Sequence, residues 1–388
     1  MNKIMDASDN PFCPYVENGE ALHIPYDILL GYDDTKETRR QAMNYLADCI
    51  QRFQLWPKNI ETDVEKAAAA FEDLASTPAA LVPPSMSHTG KFEETPVENC
   101  LGELCRKKVG MNASHEFHKQ DRWSTYDYNS NAGPYTAWTY LMQHGSKGPH
   151  VAKLGSIFKF TQFTPYRPTH VTNGVLFRCV QQRCGTAGQF RPYAALCIYD
   201  YFRPKRVLDP CAGWGDRLAA ACASPHVEHY CGIEPRESAH AKYQEQIKLY
   251  GGSTTTRFLA SAVEDITEDV GQYDLAFTSP PYFNREKYAD RGTKMQSWVR
   301  YKKYDEWFAS FAKPLLRFMA AHSKLVAINI NDFITYGEKT HFCQDVLEFM
   351  KSEGHAYLGY FAYTINKKPG RQHLHVLNME PIYVFSTQ

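Results

Sequence analysis

VLDPCAGWGDR, residues 207–217, is the stretch on which the reading of this chain turns. A β-rich tetrad closes on Asp209, Gly213 and Gly215 bracket Trp214, and an alanine-rich run over 215–223 follows. Glycine lets the backbone turn tightly and leaves no Cβ where a ligand must approach. The helix N-terminus behind such a turn favours a negative group. A bare G-x-G turn also occurs with no ligand at all. Here the third glycine of the dinucleotide fingerprint is missing, which disfavours a pyrophosphate. The next strand, HYCGIE (229–234), ends on Glu234, whose carboxylate suits the paired hydroxyls of a ribose.

The pattern around this turn alternates. An apolar helix (192–202) precedes the strand RVLD (206–209). A helix over 215–223, the strand 229–234, a helix over 236–250, a short strand RFLA (257–260) and the strand YDLAFT (273–278) follow. Further on come a helix (304–321), the strand KLVAINI (324–330), a helix (341–352) and a terminal strand pair near 356–366 and 380–386. Such alternation predicts an α/β domain with a parallel sheet and crossover helices. Upstream, 36–56 and 61–76 carry helical periodicity, and Thr62 with Glu65 suggests a capping box for the second helix. LVPPSMSHTGKFEETP (81–96) reads as a linker or surface loop, and 97–180 is aromatic and Gly/Asn-rich with no sustained period. The expected organisation is a helical region over 1–82, a linker and mixed segment over 83–180 that is a candidate target-recognition region, and the α/β domain over 181–388.

A second motif, TSPPYF (278–283), follows the strand YDLAF directly. Two consecutive prolines cannot donate backbone hydrogen bonds and they stiffen the chain. The carbonyls of Ser279 and Pro280 are then open as acceptors, and Tyr282 sits on a rigid loop at the C-terminal edge of the sheet, where open α/β folds bind ligands. An exocyclic amine on adenine or cytosine is a poor nucleophile, because its lone pair is delocalised into the ring. Two acceptors gripping its hydrogens favour the pyramidal transition state, and a tyrosine face stacks the base. Reaching such an amine inside a duplex requires base flipping. The bland alternative is a proline turn beside a core tyrosine.

Bulk composition sets limits. The 388 residues are 43% hydrophobic and 14% aromatic, enough for a sizeable core. Lys+Arg and Asp+Glu number 43 each, so contact with a polyanion must come from a local patch. The eleven cysteines, among them Cys197, Cys222 and Cys231 in apolar runs, read as reduced thiols in an intracellular compartment. No apolar run reaches the ~18 residues of a membrane span, and a soluble protein is expected.

Together these residues resemble the amino-methyltransferase family that carries the (D/N/S)PP(Y/F) signature and uses S-adenosylmethionine. DPCAGWG (209–215) resembles its cofactor loop, which assigns Asp209, Cys211, Ala212, Gly213 and Gly215 to cofactor binding. Glu234 resembles the ribose acid. SAVEDI (261–266) resembles the adenine-binding segment, with Glu264 or Asp265 as its polar contact. SPPY (279–282) resembles the catalytic loop: Ser279, Pro280, Pro281 and Tyr282, with Ser279 also beside the cofactor. GTAGQFRPYAA (185–195) resembles the motif ahead of the sheet, where Phe190 and Arg191 would approach the methionine moiety. AININD (327–332) and MEPIYVF (379–385) resemble the later strands. The resemblance covers about half the chain. It implies a Rossmann-like, seven-stranded class I methyltransferase domain with an antiparallel last strand, behind a helical and mixed N-terminal extension. It also implies direct in-line transfer with no metal and no covalent intermediate. Position 279 is Ser rather than the Asp or Asn usual in adenine-N6 enzymes, which leaves adenine or cytosine open. C5-methylation is disfavoured because TSPPYF holds no cysteine nucleophile.

The expected partner is nucleic acid, DNA or RNA. Residues 283–303 (FNREKYADRGTKMQSWVRYKK) hold seven Lys/Arg against two Asp/Glu, with aromatics interleaved. Phe283, Arg285, Lys287, Tyr288, Lys302 and Lys303 are the candidate substrate contacts, cations for phosphates and rings for bases. NKKPGRQH (366–373) is a second basic candidate. Two rival readings stand beside this one: a methyltransferase for a protein or small-molecule amine or amide, and a non-catalytic partner subunit that keeps the fold.

Overall fold

The structure is a computed structural model that describes residues 9–82, 99–104, 107–127, 132–159, 169–288, 295–364 and 379–388. The chain divides into two compact units. One comprises 1–62, 119–187 and 287–289; the other comprises 63–118, 188–286 and 290–388.

In the first unit the helices Lys36–Phe53, Pro134–His144 and Asn173–Gln182 bury Leu46, Ile50, Trp138, Leu141 and Phe177 together. The Trp138 indole donates to the Leu55 carbonyl at 3.0 Å, so this fully buried ring leaves no polar atom unpaired. Thr35 and Thr38 form a reciprocal cap at the start of Lys36–Phe53.

The second unit is built on an eight-stranded sheet. Its strands are β1 (Cys100–Leu104), β2 (Arg206–Asp209), β3 (His229–Ile233), β4 (Thr255–Leu259), β5 (Tyr273–Thr278), β6 (Ser323–Asn329), β7 (Ala356–Thr364) and β8 (Met379–Ser386). The order across the sheet is β4-β3-β2-β5-β6-β8-β7-β1. β8 pairs antiparallel with β6 and β7, and the other pairings are parallel. Helices Asp216–Ala223, Glu237–Tyr250, Lys313–His322 and Phe342–Ser352 make the crossovers. This is the Rossmann-like class I methyltransferase arrangement, with the expected seven strands in place and an eighth, β1, added at the edge beside β7. β1 comes from the aperiodic stretch after residue 97. It shows no sequence signal because its partner lies at the far end of the chain, where Tyr360 faces Cys100.

The central strands read as continuous apolar runs because helices cover both faces. Leu275 and Phe277 of β5 point to one side, with Val207 and Tyr199; Ala276 points to the other, with Leu208 and Phe311. Two expectations about helices change. The helix expected over 304–321 is interrupted by a π-turn, Phe308–Ala312, between Tyr304–Trp307 and Lys313–His322. Pro314 has no N–H to give to the ladder, and the turn widens ahead of it. The helix Val64–Ser76 is capped by Asp63, which accepts from the Lys66 N–H at 3.0 Å, and not by a Thr62–Glu65 box. Both residues are competent caps, and the helix starts one position later.

No disulfide joins the described cysteines, and burial pushes the Cys179 and Cys222 thiols up to about 12. No described helix is long and apolar enough to cross a membrane.

Replacing Asp63 by Ala should cost about 1 kcal/mol of stability, the usual worth of an N-cap, whereas Thr62→Ala should change it by a few tenths at most. Urea unfolding followed by helical circular dichroism checks the pair; equal losses would return the cap to Thr62.

Candidate active site at the C-terminal edge of the sheet

Asp209 ends β2 and has no exposed surface. Arg217, itself 4% exposed, donates to it twice, at 2.8 and 3.1 Å. The Tyr230 hydroxyl donates at 2.7 Å and the Thr278 hydroxyl at 2.8 Å. The Cys211 N–H completes the set, donating to Asp209 at 3.4 Å and to the Thr278 hydroxyl oxygen at 3.1 Å. The carboxylate is thus fully engaged from inside the fold. Asp209, expected among the cofactor contacts, braces two loops at once: the glycine loop through Cys211 and the SPPY loop through Thr278. Burial disfavours the Arg217 charge, but the facing Asp209 outweighs it and raises the guanidinium pKa.

The glycine loop lies over β3. The Ala212 N–H donates to the Ile233 carbonyl at 2.9 Å, and the Gly213 N–H donates to Glu234 at 3.0 Å. Gly213 (φ 58°) and Gly215 (φ 74°) both adopt the left-handed conformation. Their surroundings differ. A Cβ on Gly213 would meet only the Cys211 carbonyl, at 3.8 Å, so the loop is open there. A Cβ on Gly215 would come within 2.5 Å of buried Gln246, so this glycine serves the packing of the helix Glu237–Tyr250. Behind the loop, the Tyr243 hydroxyl and Arg236 both donate to the Gly213 carbonyl, at 2.5 and 3.3 Å, and the Arg236 guanidinium lies 4.1 Å from the Trp214 ring centre. Burial, followed by the charge of Asp209, pushes the Cys211 thiol well up.

Glu234 sits just past β3. One carboxylate oxygen takes the Gly213 N–H and the other takes the Arg236 N–H at 3.2 Å. Each oxygen keeps a second lone pair for a ligand hydroxyl. Burial raises the Glu234 pKa against the pull of Arg236. The two acids of SAVEDI differ in kind. Asp265 is exposed and paired with Arg300 at 2.5 Å, which lowers its pKa. Glu264 is 6% exposed, burial raises its pKa, and it takes one contact from Arg300 at 3.2 Å. Its Oε2 is buried with no partner among the described residues. An acceptor left unpaired inside a protein costs free energy unless a ligand donates to it.

Phe190 stacks on Tyr363, with ring centres 4.9 Å apart and an angle of 15°, and meets Phe277 edge-on. The Arg191 N–H donates to the Tyr363 hydroxyl at 3.2 Å, and its guanidinium lies over the same ring. Gln189 bonds Asp216 at 2.8 Å, and Ser114 donates to the same carboxylate, pinning the segment ahead of the sheet to the first turn of the helix Asp216–Ala223.

The SPPY loop leaves β5 next to β6. Tyr282 lies parallel to Phe333 at 6.4 Å and 6°. Its hydroxyl donates to Glu380 at 3.3 Å and lies 3.5 Å from the Asn329 carbonyl. Burial, followed by the charge of Glu380, keeps the phenol protonated far above its ordinary range. Ser279 donates to the Asn329 side-chain oxygen at 3.2 Å, and Asn331 donates to Glu380 at 3.3 Å. Asn329, Asn331 and Glu380 were missed as site residues. They stand in the β6 and β8 segments, and only the pairing of those strands shows that they face the SPPY loop.

The basic segment divides. Phe283, expected as a contact for a base, is 1% exposed and packs on Trp307 and Tyr304, and it borders the cleft that Lys302 and Lys303 line. Arg285 donates to the Ile334 carbonyl at 3.4 Å. Lys302 and Lys303 are exposed. They line a cleft of about 490 Å³ with Thr335, Tyr336 and His341. Tyr336 is 70% exposed. Tyr288 is half-buried, and the side chain of Lys287, residues 289–294 and the turn 366–373 lie outside the described residues.

No family model matches the chain, and no curated protein matches it. Solved structures similar to it align over about half its length. The methyltransferase domain of bacterial CtHen1 is 12% identical, with 50% of this chain and 97% of that one covered and a TM-score of 0.36. TrmN from Thermus thermophilus is 15% identical, with 52% and 55% covered and a TM-score of 0.35. The N-terminal domain of EvdMO1, with S-adenosylhomocysteine bound, is 13% identical, with 52% and 82% covered and a TM-score of 0.32. At these scores the likenesses add nothing to what the strand order itself shows.

Asp209→Asn keeps the shape of the brace but removes its charge, leaving the Arg217 guanidinium buried without a counter-ion. A stability loss of about 3–5 kcal/mol is expected, read by urea unfolding. A loss under about 1 kcal/mol would mean that the charge is not what holds the two loops.

Proposed function

We propose that the chain is an S-adenosylmethionine-dependent methyltransferase acting on an exocyclic amine of a nucleic-acid base, adenine N6 or cytosine N4, in DNA or RNA. One observation carries the reading: a single buried carboxylate, Asp209, ties the glycine loop that ends against Glu234 to the SPPY loop that presents Ser279 and Tyr282.

The residues fit the cofactor. Glu234 keeps free lone pairs for a ribose diol, Glu264 Oε2 is a buried acceptor awaiting a donor such as an adenine amine, and Gly213 leaves the loop open. Phe190 and Arg191 border the methionine side. When bound, S-adenosylmethionine supplies an electrophilic methyl group on a sulfonium. Ser279 and the Pro280 carbonyl accept the hydrogens of the target amine and localise its lone pair on nitrogen. Tyr282, held parallel to Phe333, offers a face to the base. With its lone pair so localised, the amine would accept that methyl group and give up one proton to solvent. Lys302 and Lys303 at the cleft meet phosphates.

Transfer of a labelled methyl group to a panel of DNA, RNA, protein and metabolites, followed by nucleoside mass analysis, tests the reading. Label in N6-methyladenosine, N4-methylcytidine or a deoxy counterpart supports it; label only in protein or metabolites rejects it. Tyr282→Ala should cut transfer about ten- to hundredfold, in line with about 1–3 kcal/mol per stacked base, while cofactor affinity changes little. Reversing Lys302 and Lys303 to Glu should flatten the salt dependence of binding by about 1.4–1.8 in the log–log slope. Cofactor binding has its own pH signature. The ribose contact needs the Glu234 carboxylate ionised, and its pKa is raised, so affinity should fall on acidification starting above the ordinary glutamate range. Calorimetric titration across pH checks this, and Glu234→Gln should bind more weakly with that dependence removed.

A further inference from the structure

The SPPY loop carries serine where an amine-gripping loop needs an acceptor, and a hydroxyl is ambiguous. It has one proton to donate and two lone pairs to accept with. If its proton pointed at the target amine, donor would face donor. We propose that Asn329, at the end of β6, is the positioning residue that turns Ser279 into an acceptor. This rests on the amine-methyltransferase reading given above.

The geometry runs through three groups. Ser279 Oγ lies 3.2 Å from Asn329 Oδ1 and donates to it. The Asn329 Nδ2 donates to the Pro381 carbonyl at 3.3 Å. That carbonyl can only accept, so it settles which end of the amide faces it: nitrogen toward Pro381, oxygen toward Ser279. The Ile330 N–H donates to the same carbonyl at 3.3 Å, and Asn329 is paired with Ile382 across the β6–β8 ladder, so the backbone around the amide is fixed. Asn329 is 2% exposed, which keeps water from competing for its oxygen. The Ser279 proton is therefore held inward, and its lone pairs face the bound amine. An aspartate or asparagine at position 279 would carry its own carbonyl oxygen and need no such help. Serine works here because β6 and β8 supply the missing direction. The Tyr282 hydroxyl gives its own proton to Glu380 and also lies within reach of Ser279, so its oxygen is the rival acceptor for the Ser279 proton.

A double-mutant cycle on the full chain tests the assignment, with kcat and the KM for both substrates as readouts. Asn329→Ala alone should lower kcat about tenfold, with the KM for S-adenosylmethionine unchanged. In a Ser279→Asn background, where the side chain brings its own acceptor, the same substitution should change kcat less than about twofold. Asn329→Asp, which keeps the oxygen, should recover part of the loss. If Ser279→Asn folds poorly, Ser279→Ala serves instead, because removing Asn329 should add nothing once the hydroxyl is gone. Equal losses in all backgrounds would make Asn329 merely structural and overturn the proposal. No loss in the wild-type background would also overturn it and give the Ser279 proton to Tyr282. Wild-type transfer to a base amine is measured first: its absence rejects the underlying reading and this proposal with it, whereas its presence with equal losses rejects the proposal alone.

Discussion

The buried pair of Asp209 and Arg217 is the constraint on which the rest of the candidate site depends. Neither group has water to fall back on, so each must find all its partners in the fold. The carboxylate accepts from Arg217, Tyr230, Thr278 and the Cys211 amide. Those donors come from the two strands that flank β2, from the turn that follows β2 and from the helix Asp216–Ala223. Meeting the needs of one ion fixes the ends of β2, β3 and β5 relative to one another. The two loops that would do chemistry inherit their separation from a group that has no exposed surface.

A second layer of order sits above this brace. Glu234 holds the glycine loop from the front by its amide, while Tyr243 and Arg236 hold it from behind by its carbonyl. On the SPPY side, Glu380 takes the Tyr282 hydroxyl and the Asn331 amide, and Asn329 takes Ser279. Preorganisation of this kind matters most where little covalent chemistry is asked of the protein. Direct methyl transfer needs position and acceptors, and groups already fixed by the fold need no rearrangement at the moment of reaction.

Much of the sheet was legible in the sequence, and for a physical reason. RVLD and YDLAFT coincide with β2 and β5, and 192–202 with a helix, because buried parallel strands and their covering helices announce themselves as short apolar runs between glycine and proline breaks. β1 was not legible: five residues flanked by aperiodic sequence become a strand only because β7 presents an edge to them. Nor was the difference between Glu264 and Asp265, neighbours in sequence, of which one is buried with an unpaired oxygen and the other exposed against Arg300. The burial of Phe283 was not legible either. An aromatic residue beside a motif looks the same whether it faces a ligand or the core, and only the packing of Phe283 on Trp307 and Tyr304 shows how deep it sits. Asn329 and Glu380 needed the register of β8, which no local pattern encodes.

The pairing of β1 with β7 bears on how the molecule is made. Cys100 emerges from the ribosome some 260 residues ahead of Tyr360, its eventual partner. Synthesis at about 5–20 residues per second leaves that segment waiting roughly 13–50 s. During that interval the five residues have no sheet to join, and β8, which must pair between β6 and β7, is also still to come. The central strands β2 to β5 can meet as soon as they are produced, but the edge is sealed last. Contacts of such long range are slow to form, so the nascent chain passes through a stage with a nearly finished centre and an unsealed margin, the stage at which a chaperone would have most to protect.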